Sequence, residues 1–420
     1  MPRYQGQAGK VLVQNILLLT IDTLRADRLG VYGYPKNLTP TMDLLAKEGT
    51  LFERTIAQSP WTRPSYGSLL TSLYPSQHEA FVVYDPARGG YHADWGDMLY
   101  DGGLRDDAET MAEIFRDRGY TTIALQTNWH VSAAHNFDQG FDYFLYEPLF
   151  TISLFDRSFL GPYAKYFRAL NGAKPKPPFW MTAPPASSGD DAFKALIAEG
   201  LPQPLFMWIN FMDTHSPYII REKGVPLEQA RITASYDIWD SHIPNSLLSE
   251  AYDGEVRHVD HYVGKIYNRL KDAGISDDTL IVLLSDHGEE FGDHQAEIHC
   301  CDTVVRGRHH GHSLYDELLH VPLIIRYPSR VPRGSRVKET VRLIDVLPTL
   351  LELAGISLGS SRATFEGTSL LPLIMNGNDP WGPRFSYSER TYYGLEHKAV
   401  EDGRYKMILQ PGNGGAELYD

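Results

Sequence analysis

The 420-residue chain is 42% hydrophobic and 22% charged, which is the composition of an ordinary globular protein with enough chain for a large core. Its formal net charge of −14 argues against nucleic acid or an anionic membrane as a partner, and we expect neither. The two cysteines, Cys300 and Cys301, are adjacent and exclude a disulfide framework, and the sequence has no apolar run of about 18 residues that would predict a membrane span.

The first apolar stretch, residues 11–21, has some features of a signal peptide. Gln14 and Asn15 interrupt it, Asp22 ends it, and no small-residue cleavage site follows. We therefore interpret this stretch as a buried strand and expect a cytoplasmic location for the protein.

Strand-like apolar runs alternate with helical patterns along the rest of the chain. Strands are predicted over residues 16–21, 121–125, 205–211, 279–284 and 321–326, and helices over residues 39–48, 65–73, 109–118, 251–273 and 343–353. Strands separated by helices indicate an α/β fold with a large, mostly parallel sheet flanked by helices. Ligands bind such sheets at the carboxyl ends of the strands.

The sequence divides into a large domain, residues 1–355, and a smaller C-terminal subdomain, residues 356–420. Residues 143–191 are rich in proline and aromatic side chains, so we interpret them as an insertion, either a lid over the site or a surface excursion that packs on itself. The pattern weakens after Gly355 into short strands such as 405–410. Because the sequence stops at Asp420 without a turn or a polar tail, we expect the subdomain to be incomplete.

Acidic side chains follow two of the predicted strands directly. Asp286 and His287 come after strand 279–284, and Asp22 comes after strand 16–21. A carboxylate and an imidazole at a strand exit can bind one divalent metal together. Each acid alone is equally explained as a cap or a turn residue, but two strand ends that meet in one crevice favour a metal site.

A hydroxyl group precedes a predicted helix in the segment around Thr62 and Pro64. A hydroxyl at a helix N-terminus faces the free N–H groups and the positive end of the helix dipole. Beside a metal ion it loses its proton more readily and becomes a nucleophile. The alternative for Thr62 is an ordinary helix cap.

Histidines, after the acidic strand ends and the hydroxyl of Thr62, are the third indication of a metal site. Asp213 and His215 end strand 205–211, and the segment 309–312, which precedes Leu314 and Tyr315, contains three histidines, the last of them His312. Imidazoles at strand ends are suited to metal binding or to contact with an oxyanion. The alternative for residues 309–312 is a solvated loop.

Seven segments occur together in a fixed order. They are residues 15–33, 64–71, 140–142, 215–218, 285–288, 312–322 and 345–350, and they extend over nearly the whole chain. Each segment alone is weak evidence for a protein family, whereas the ordered set is specific evidence. Taken together they resemble the alkaline phosphatase/sulfatase superfamily, in its sulfatase-like branch, which implies an alkaline-phosphatase-like sandwich fold.

The resemblance also implies a mechanism and a set of residues. A nucleophile attacks sulfur or phosphorus, a covalent intermediate forms, and water releases it. The first metal ion would be held by Asp22, Thr62, Asp286 and His287. The resemblance further implies that His215 contacts the oxyanion or a second metal, and that His130 lies beside the nucleophile.

The sequence departs from this family at several positions. Typical sulfatases have a cysteine or serine, oxidised to formylglycine, where this chain has Thr62, and threonine oxidation could give only a ketone. Tyr66 replaces the motif arginine and Thr23 replaces the second metal-binding aspartate. One family lysine matches Asn128 and the other falls around residues 311–312, so both are missing.

These departures favour hydrolysis of a small anionic phosphate mono- or diester through a covalent threonine intermediate. An imidazole-containing site suits Zn or Mn better than Ca or Mg, which prefer oxygen ligands. A second metal, held by Asp213, His215 and His312 in some combination, would replace the charge of the missing lysines. The alternatives are a sulfatase, an inactive member that binds a metal or an anion, and a transferase, and the sequence leaves the oligomeric state open.

Overall fold

The computed structural model describes most of the chain. The described residues are 15–81, 102–146, 151–153, 186–221, 232–236, 242–294, 297–300, 303–357, 365–377, 379–380, 382–393, 396–412 and 414–420, with the single positions 227 and 238. The larger part of the predicted insertion, and with it the question of a lid, lies outside these residues.

The described strands are numbered in chain order. They are β1 (Asn15–Ile21), β2 (Thr50–Ile56), β3 (Thr121–Gln126), β4 (Tyr143–Tyr146), β5 (Thr151–Ser153), β6 (Leu205–Phe211), β7 (Tyr218–Arg221), β8 (Ile232–Tyr236), β9 (Thr279–Leu284), β10 (Glu290–Phe291), β11 (Glu297–Cys300), β12 (Thr303–Arg306), β13 (Arg308–His309), β14 (His320–Arg326), β15 (Ser335–Arg342), β16 (Ser386–Glu389), β17 (Lys398–Glu401), β18 (Lys406–Gln410) and β19 (Gly415–Tyr419).

The described helices are numbered in the same way. They are α1 (Pro40–Glu48), α2 (Thr62–Thr71), α3 (Pro75–His78), α4 (Met111–Arg116), α5 (Ala186–Glu199), α6 (Asn245–Asp272), α7 (Asp316–Leu319), α8 (Val346–Leu353) and α9 (Leu371–Asn376). Short 3-10 turns occupy Ala26–Arg28, Gly30–Tyr32, Trp129–Val131, Ala133–His135 and Leu343–Asp345. Within the described part of the chain, none of the helices combines the length and the apolar composition that crossing a bilayer requires.

A nine-stranded, mixed but mostly parallel sheet forms the centre of the molecule, in the order β15-β2-β14-β9-β1-β6-β3-β4-β5. The parallel strands β9, β1, β6 and β3 lie next to one another, and β14 pairs antiparallel with β9. Side chains along β1 alternate between two cores: Ile16 and Leu18 contribute to one, and Leu17 and Leu19 to the other. Because both faces of the sheet are covered, its strands are continuous apolar runs.

The predicted α/β fold is confirmed, with several changes of boundary. Helix α6 begins at Asn245, six residues before the predicted start, and α2 begins at Thr62 instead of residue 65. Strand β4 pairs with β3 in the central sheet, so the first residues of the predicted insertion belong to the core. In the C-terminal part, β16 to β19 form a separate four-stranded antiparallel sheet, which includes the predicted strand 405–410 as Lys406–Gln410.

Candidate active site

The register of two central strands brings Asp22 and Asp286 together. Strands β1 and β9 pair in parallel with Thr20 opposite Leu284, so both acids lie two residues beyond the same rung of the ladder. The backbone N–H of Asp22 still donates to the carbonyl of Phe211 on β6, at 2.9 Å. Both acids are fully buried at the carboxyl edge of the sheet, where the sequence analysis expected the site.

Three oxygen atoms surround one nitrogen atom at this edge. The Nε2 atom of His287 lies 3.3 Å from Thr62 Oγ1, 3.6 Å from Asp22 Oδ1 and 3.4 Å from Asp286 Oδ2. The Nδ1–H of His287 donates to the carbonyl of Gly288 at 2.9 Å, which leaves Nε2 with its lone pair toward the oxygens. The predicted four residues, which we call the first ligand group, therefore converge.

The first ligand group has the chemistry of a metal site. Asp22 Oδ1 and Asp286 Oδ2 are buried and have no hydrogen-bond partner among the described residues, although buried carboxylates normally have several. Ligand atoms around a tetrahedral zinc ion are about 3.4 Å apart, given bonds of about 2.0–2.2 Å, and the distances from His287 Nε2 match this separation. Burial and then the charge of Asp22 raise the pKa of Asp286 well above its ordinary value, which is the repulsion that a dication would remove.

Thr62 is the first residue of α2 and is only 2% exposed. The helix is fixed against the first ligand group, because the Ser65 hydroxyl donates to the carbonyl of Asp286 at 2.6 Å. It also packs closely on His78: a Cβ atom at Gly67 would lie 2.4 Å from the imidazole. Burial lowers the pKa of His78 to about 3, so the ring is a neutral packing element that holds α2 in place.

Thr23, which the resemblance matches to a second acidic ligand of the family, uses its side chain in a backbone contact. The residue has φ 60°, a left-handed conformation that is unusual for a β-branched side chain. Its hydroxyl donates to the carbonyl of Thr214 at 2.7 Å, and its N–H donates to Asp286 Oδ1 at 3.3 Å. Backbone strain at this turn thus serves to position Asp286.

Asn128, which the resemblance matches to a family lysine, lies beside the first ligand group. Its Nδ2 donates to Asp22 Oδ2 at 2.6 Å, and its Oδ1 accepts from the backbone N–H of His130 at 2.8 Å. The side chain next to Asp22 is therefore a neutral amide, which supplies a hydrogen bond but no positive charge.

Arg63 is the buried cation of this region, with no exposed surface. Its guanidinium contacts His130 Nδ1 at 3.2 Å and His135 Nε2 at 2.8 Å. Because a guanidinium can only donate, both nitrogens must accept, and neutral His130 carries its proton on Nε2. Burial and then the charge of Arg63 hold the pKa of His130 well below its ordinary value.

Tyr66, which the resemblance matches to the motif arginine of the family, is part of the core. The Tyr66 hydroxyl donates to Asn210 Oδ1 at 2.6 Å, and its ring packs against Trp208 inside the core. A guanidinium next to Thr62 is instead supplied by Arg63, which is buried against two imidazoles.

A second ligand group lies beside the first and consists of Glu289, His309 and His310. Glu289 Oε1 is 2.9 Å from His310 Nδ1 and 3.6 Å from His309 Nδ1. The rings of His310 and His287 are 4.5 Å apart, and His215 lies 5.0 Å from His310. Burial alone would raise the pKa of Glu289, but the imidazoles outweigh it and hold that pKa well below its ordinary value.

The predicted ligands of a second metal are not brought together. Asp213 Oδ1 lies 3.4 Å from His258 Nε2 of α6, and His312 Nε2 lies 2.6 Å from Glu290 Oε2. Among the described residues, neither of them joins His215 in a group of metal-binding atoms. In this structure Asp213 and His312 contact other side chains, and a second metal held by them together with His215 stays a prediction.

Two features of the site were missed in the sequence. Glu289 follows the Asp-His-Gly motif directly, so its position was a usable signal. The other feature is a contact from the C-terminal part: the tilted rings of Tyr392 and Trp61 have centres 4.6 Å apart, and the backbone N–H of Tyr393 donates to the carbonyl of Gly311 at 2.9 Å. No local pattern links Trp61 with Tyr392, which lies over 300 positions away, so only the fold could show this contact.

Comparison with known proteins agrees with this architecture. The family profile described as Sulfatase matches residues 14–356, and one described as N-sulphoglucosamine sulphohydrolase, C-terminal, matches residues 307–420. The N-acetylgalactosamine-6-sulfatase of Canis lupus familiaris is 26% identical over 96% of this chain and 72% of its own, and the steryl-sulfatase of Rattus norvegicus is 27% identical over 86% and 70%.

Solved structures show the same fold. The phosphonate monoester hydrolase of Agrobacterium radiobacter superimposes with a TM-score of 0.69 at 21% identity, over 97% of this chain and 89% of its own. Members of the matched family are metal-dependent, in keeping with the ligand groups described above. The chain is a sulfuric or phosphoric ester hydrolase and belongs to the sulfatase family.

Proposed function

We propose that this protein hydrolyses a phosphate mono- or diester through a covalent intermediate on Thr62. The observation that carries the proposal is the contact of 3.3 Å between Thr62 Oγ1 and His287 Nε2, at the point where two unpartnered carboxylate oxygens also converge. A hydroxyl in this position shares its surroundings with the metal ligands. A divalent metal bound there would lower the pKa of the hydroxyl and neutralise charge on the ester.

The reaction takes two displacements at phosphorus. In the first, the Thr62 Oγ–P bond forms as the bond from phosphorus to the alcohol oxygen breaks, and the threonine proton ends on the departing alcohol. In the second, a water oxygen attacks phosphorus, the Oγ–P bond breaks, and a water proton returns to Thr62. Neutral His130, which has its proton on Nε2, is suited to donate a hydrogen bond to an oxygen of the ester.

The preference for phosphate rests on the charge of the site. The sequence has no lysine between Lys47 and Lys165 or between Lys271 and Lys338, so the fixed cations that typical sulfatases use are missing. Imidazoles and carboxylates stand in the same region, and they bind metal ions rather than anions directly. Metal-assisted phosphoryl transfer is the chemistry that this side-chain set serves best.

The test replaces Thr62 by alanine and, as a matched control, by serine. Thr62→Ala removes the hydroxyl and should lower kcat for p-nitrophenyl phosphate or bis-p-nitrophenyl phosphate at least about 10³-fold. Thr62→Ser keeps the hydroxyl and should retain turnover within about 10- to 100-fold. Mass spectrometry of acid-quenched wild type should find one phosphoryl group on Thr62. Undiminished phosphodiesterase turnover by the alanine variant would reject Thr62 as the nucleophile.

The second candidate is a sulfatase that works through the unmodified threonine. It is favoured by the family match and by the curated relatives described above, which are named as sulfatases. The same assay decides between the two candidates when p-nitrophenyl sulfate is included. A higher kcat/KM for the sulfate than for both phosphates would replace the phosphate proposal with the sulfatase.

A further inference from the structure

The second ligand group has an arrangement that its sequence separation does not suggest. Glu289 and the pair His309 and His310 are about twenty residues apart, and the two-stranded ladder of β10 and β13 pairs Glu290 with His309. This pairing places Glu289 opposite the turn that contains the histidines. All three side chains are buried next to the first ligand group.

The turn itself directs both imidazoles to the same carboxylate. Successive side chains of a strand point to opposite faces, so neighbouring residues would normally separate. His309 has φ 76°, a left-handed conformation that ends the strand, and both rings consequently face Glu289 Oε1. Histidine adopts this conformation rarely, and such strain is concentrated at functional sites.

We propose that Glu289, His309 and His310 hold a second divalent metal ion, of the zinc type, next to the ion of the first ligand group. The distances of 2.9 and 3.6 Å from Glu289 Oε1 to the two Nδ1 atoms lie on either side of the separation of about 3.4 Å expected for ligands of a tetrahedral ion. One carboxylate and two imidazoles form a ligand set that leaves a fourth position to water or substrate.

The remaining contacts of Glu289 fit this role. The Tyr218 hydroxyl donates to Oε2 at 2.8 Å and orients the carboxylate, so that Oε1 is directed to the histidines. Within the second ligand group, His310 is next to the first group, with the centre of its ring 4.5 Å from that of His287. An ion held there would supply the positive charge that the missing lysines do not, and this use of the ion rests on the proposed function.

A simpler reading gives Glu289 only the task of orienting His310 by a hydrogen bond. The two readings differ in what glutamine can do at this position. The carbonyl oxygen of glutamine accepts a hydrogen bond from an imidazole N–H, but it is a poor zinc ligand because it carries no charge. Glu289→Gln therefore preserves orientation and removes metal binding.

The experiment measures bound metal instead of activity. Full-length protein, stripped with a chelator and dialysed, is titrated with Co²⁺ while its visible absorption is recorded, and Zn²⁺ content is measured by elemental mass spectrometry. We expect about two ions per wild-type chain and about one per Glu289→Gln chain. His309→Ala should give the same loss, which covers the case in which one variant fails to fold.

The control is Glu255→Gln. Glu255 is also a buried glutamate, but it pairs with Arg221 at 2.7 Å and lies outside every group of metal-binding atoms among the described residues. It should keep about two ions. One ion in wild type, or two ions in both Glu289→Gln and His309→Ala, would overturn the proposal. Neither result depends on Thr62, so this failure is distinguishable from failure of the proposed function.

Discussion

Two clusters of charged side chains in this protein are built in opposite ways. In the first ligand group, Asp22 and Asp286 are fully buried with one oxygen each lacking a hydrogen-bond partner among the described residues. The second cluster, the subdomain junction, joins the central sheet to the C-terminal sheet. It consists of Arg54, Asp316, Glu401 and Lys406.

Every carboxylate of the subdomain junction is matched by cations. Asp316 is 2.8 Å from Arg54 and 2.6 Å from Lys406, and Glu401 is 3.0 Å from Arg54 and 3.7 Å from Lys406. Burial alone would raise the pKa of Asp316, but Lys406 and Arg54 outweigh it and hold that pKa well below its ordinary value. In the first ligand group the shift of Asp286 has the opposite direction.

The difference separates charges that stabilise the fold from charges that are kept for function. A carboxylate that contacts cations is ionised more easily in the folded protein than in the unfolded chain, so its charge stabilises the fold. Two neighbouring carboxylates without a cation are ionised less easily in the folded protein, so their charges destabilise it. The rigid sheet beneath the first ligand group holds its two carboxylates together against their electrostatic repulsion. Removing charge should therefore have opposite effects on stability in the two places.

The largest expected effect follows from Asp286→Asn. Loss of a charged metal ligand should lower kcat at least about 10³-fold, because a bound metal contributes several kcal/mol of transition-state stabilisation. In chelator-treated protein the same substitution should raise the stability at pH 8 by more than about 1 kcal/mol, since a shift of one pKa unit corresponds to about 1.4 kcal/mol. Steady-state kinetics and urea unfolding measure the two effects.

The sign of that stability change depends on pH. A carboxyl group whose folded pKa is raised is increasingly unfavourable in the folded state as pH rises above its unfolded value of about 4. The advantage of the Asp286→Asn protein should therefore shrink as pH falls toward 4. A metal-free variant that is less stable than metal-free wild type at pH 8 would show that Asp22 and Asp286 do not repel each other.

The next effect concerns Arg63, which contacts two imidazoles, whereas Arg54 contacts two carboxylates. Arg63→Met removes a positive charge beside His130 without adding a polar group. The pKa of His130 should rise, although burial still holds it below its ordinary value, and kcat should fall about 10- to 100-fold. Histidine NMR titration measures the pKa, and an unchanged His130 titration would contradict the contact.

Arg63→Lys sharpens the same point. Lysine restores the charge but presents one ammonium group in place of a planar fork, so it cannot reproduce the contacts with His130 and His135 together. The pKa of His130 should stay low while kcat remains reduced. This combination distinguishes the electrostatic effect of Arg63 from its role in fixing the imidazole orientation.

The smallest effect is expected at the subdomain junction. Asp316→Asn should cost about 1 kcal/mol at pH 7 with unchanged kcat, because the Asp316 side chain is 44% exposed and solvent screens its ion pairs. The pKa of Asp316 is depressed, so its contribution is fully present above about pH 4 and is lost progressively as pH falls from the unfolded pKa through the lower folded pKa. Urea unfolding should show a smaller difference from wild type at pH 3 than at pH 7.

The sequence was sufficient to predict the central sheet with its flanking helices and the residues of the first ligand group. Continuous apolar runs of strand length, separated by helices, define a sheet that is covered on both faces. In a parallel sheet the strand ends meet at one edge, so Asp22, Asp286 and His287 had to lie close together, and the register of β1 and β9 confirms this. These inferences depend on local periodicity, which a single sequence carries.

The tertiary structure alone decided which side chains complete the site. Asp213 follows its strand as regularly as Asp22 does, yet it contacts His258 on α6. The segment 309–312 leaves its strand through a left-handed residue, so His309 and His310 face Glu289 while His312 contacts Glu290. Beyond a strand end, the direction of a side chain depends on turn geometry and on residues distant in sequence, and neither has a periodic signature.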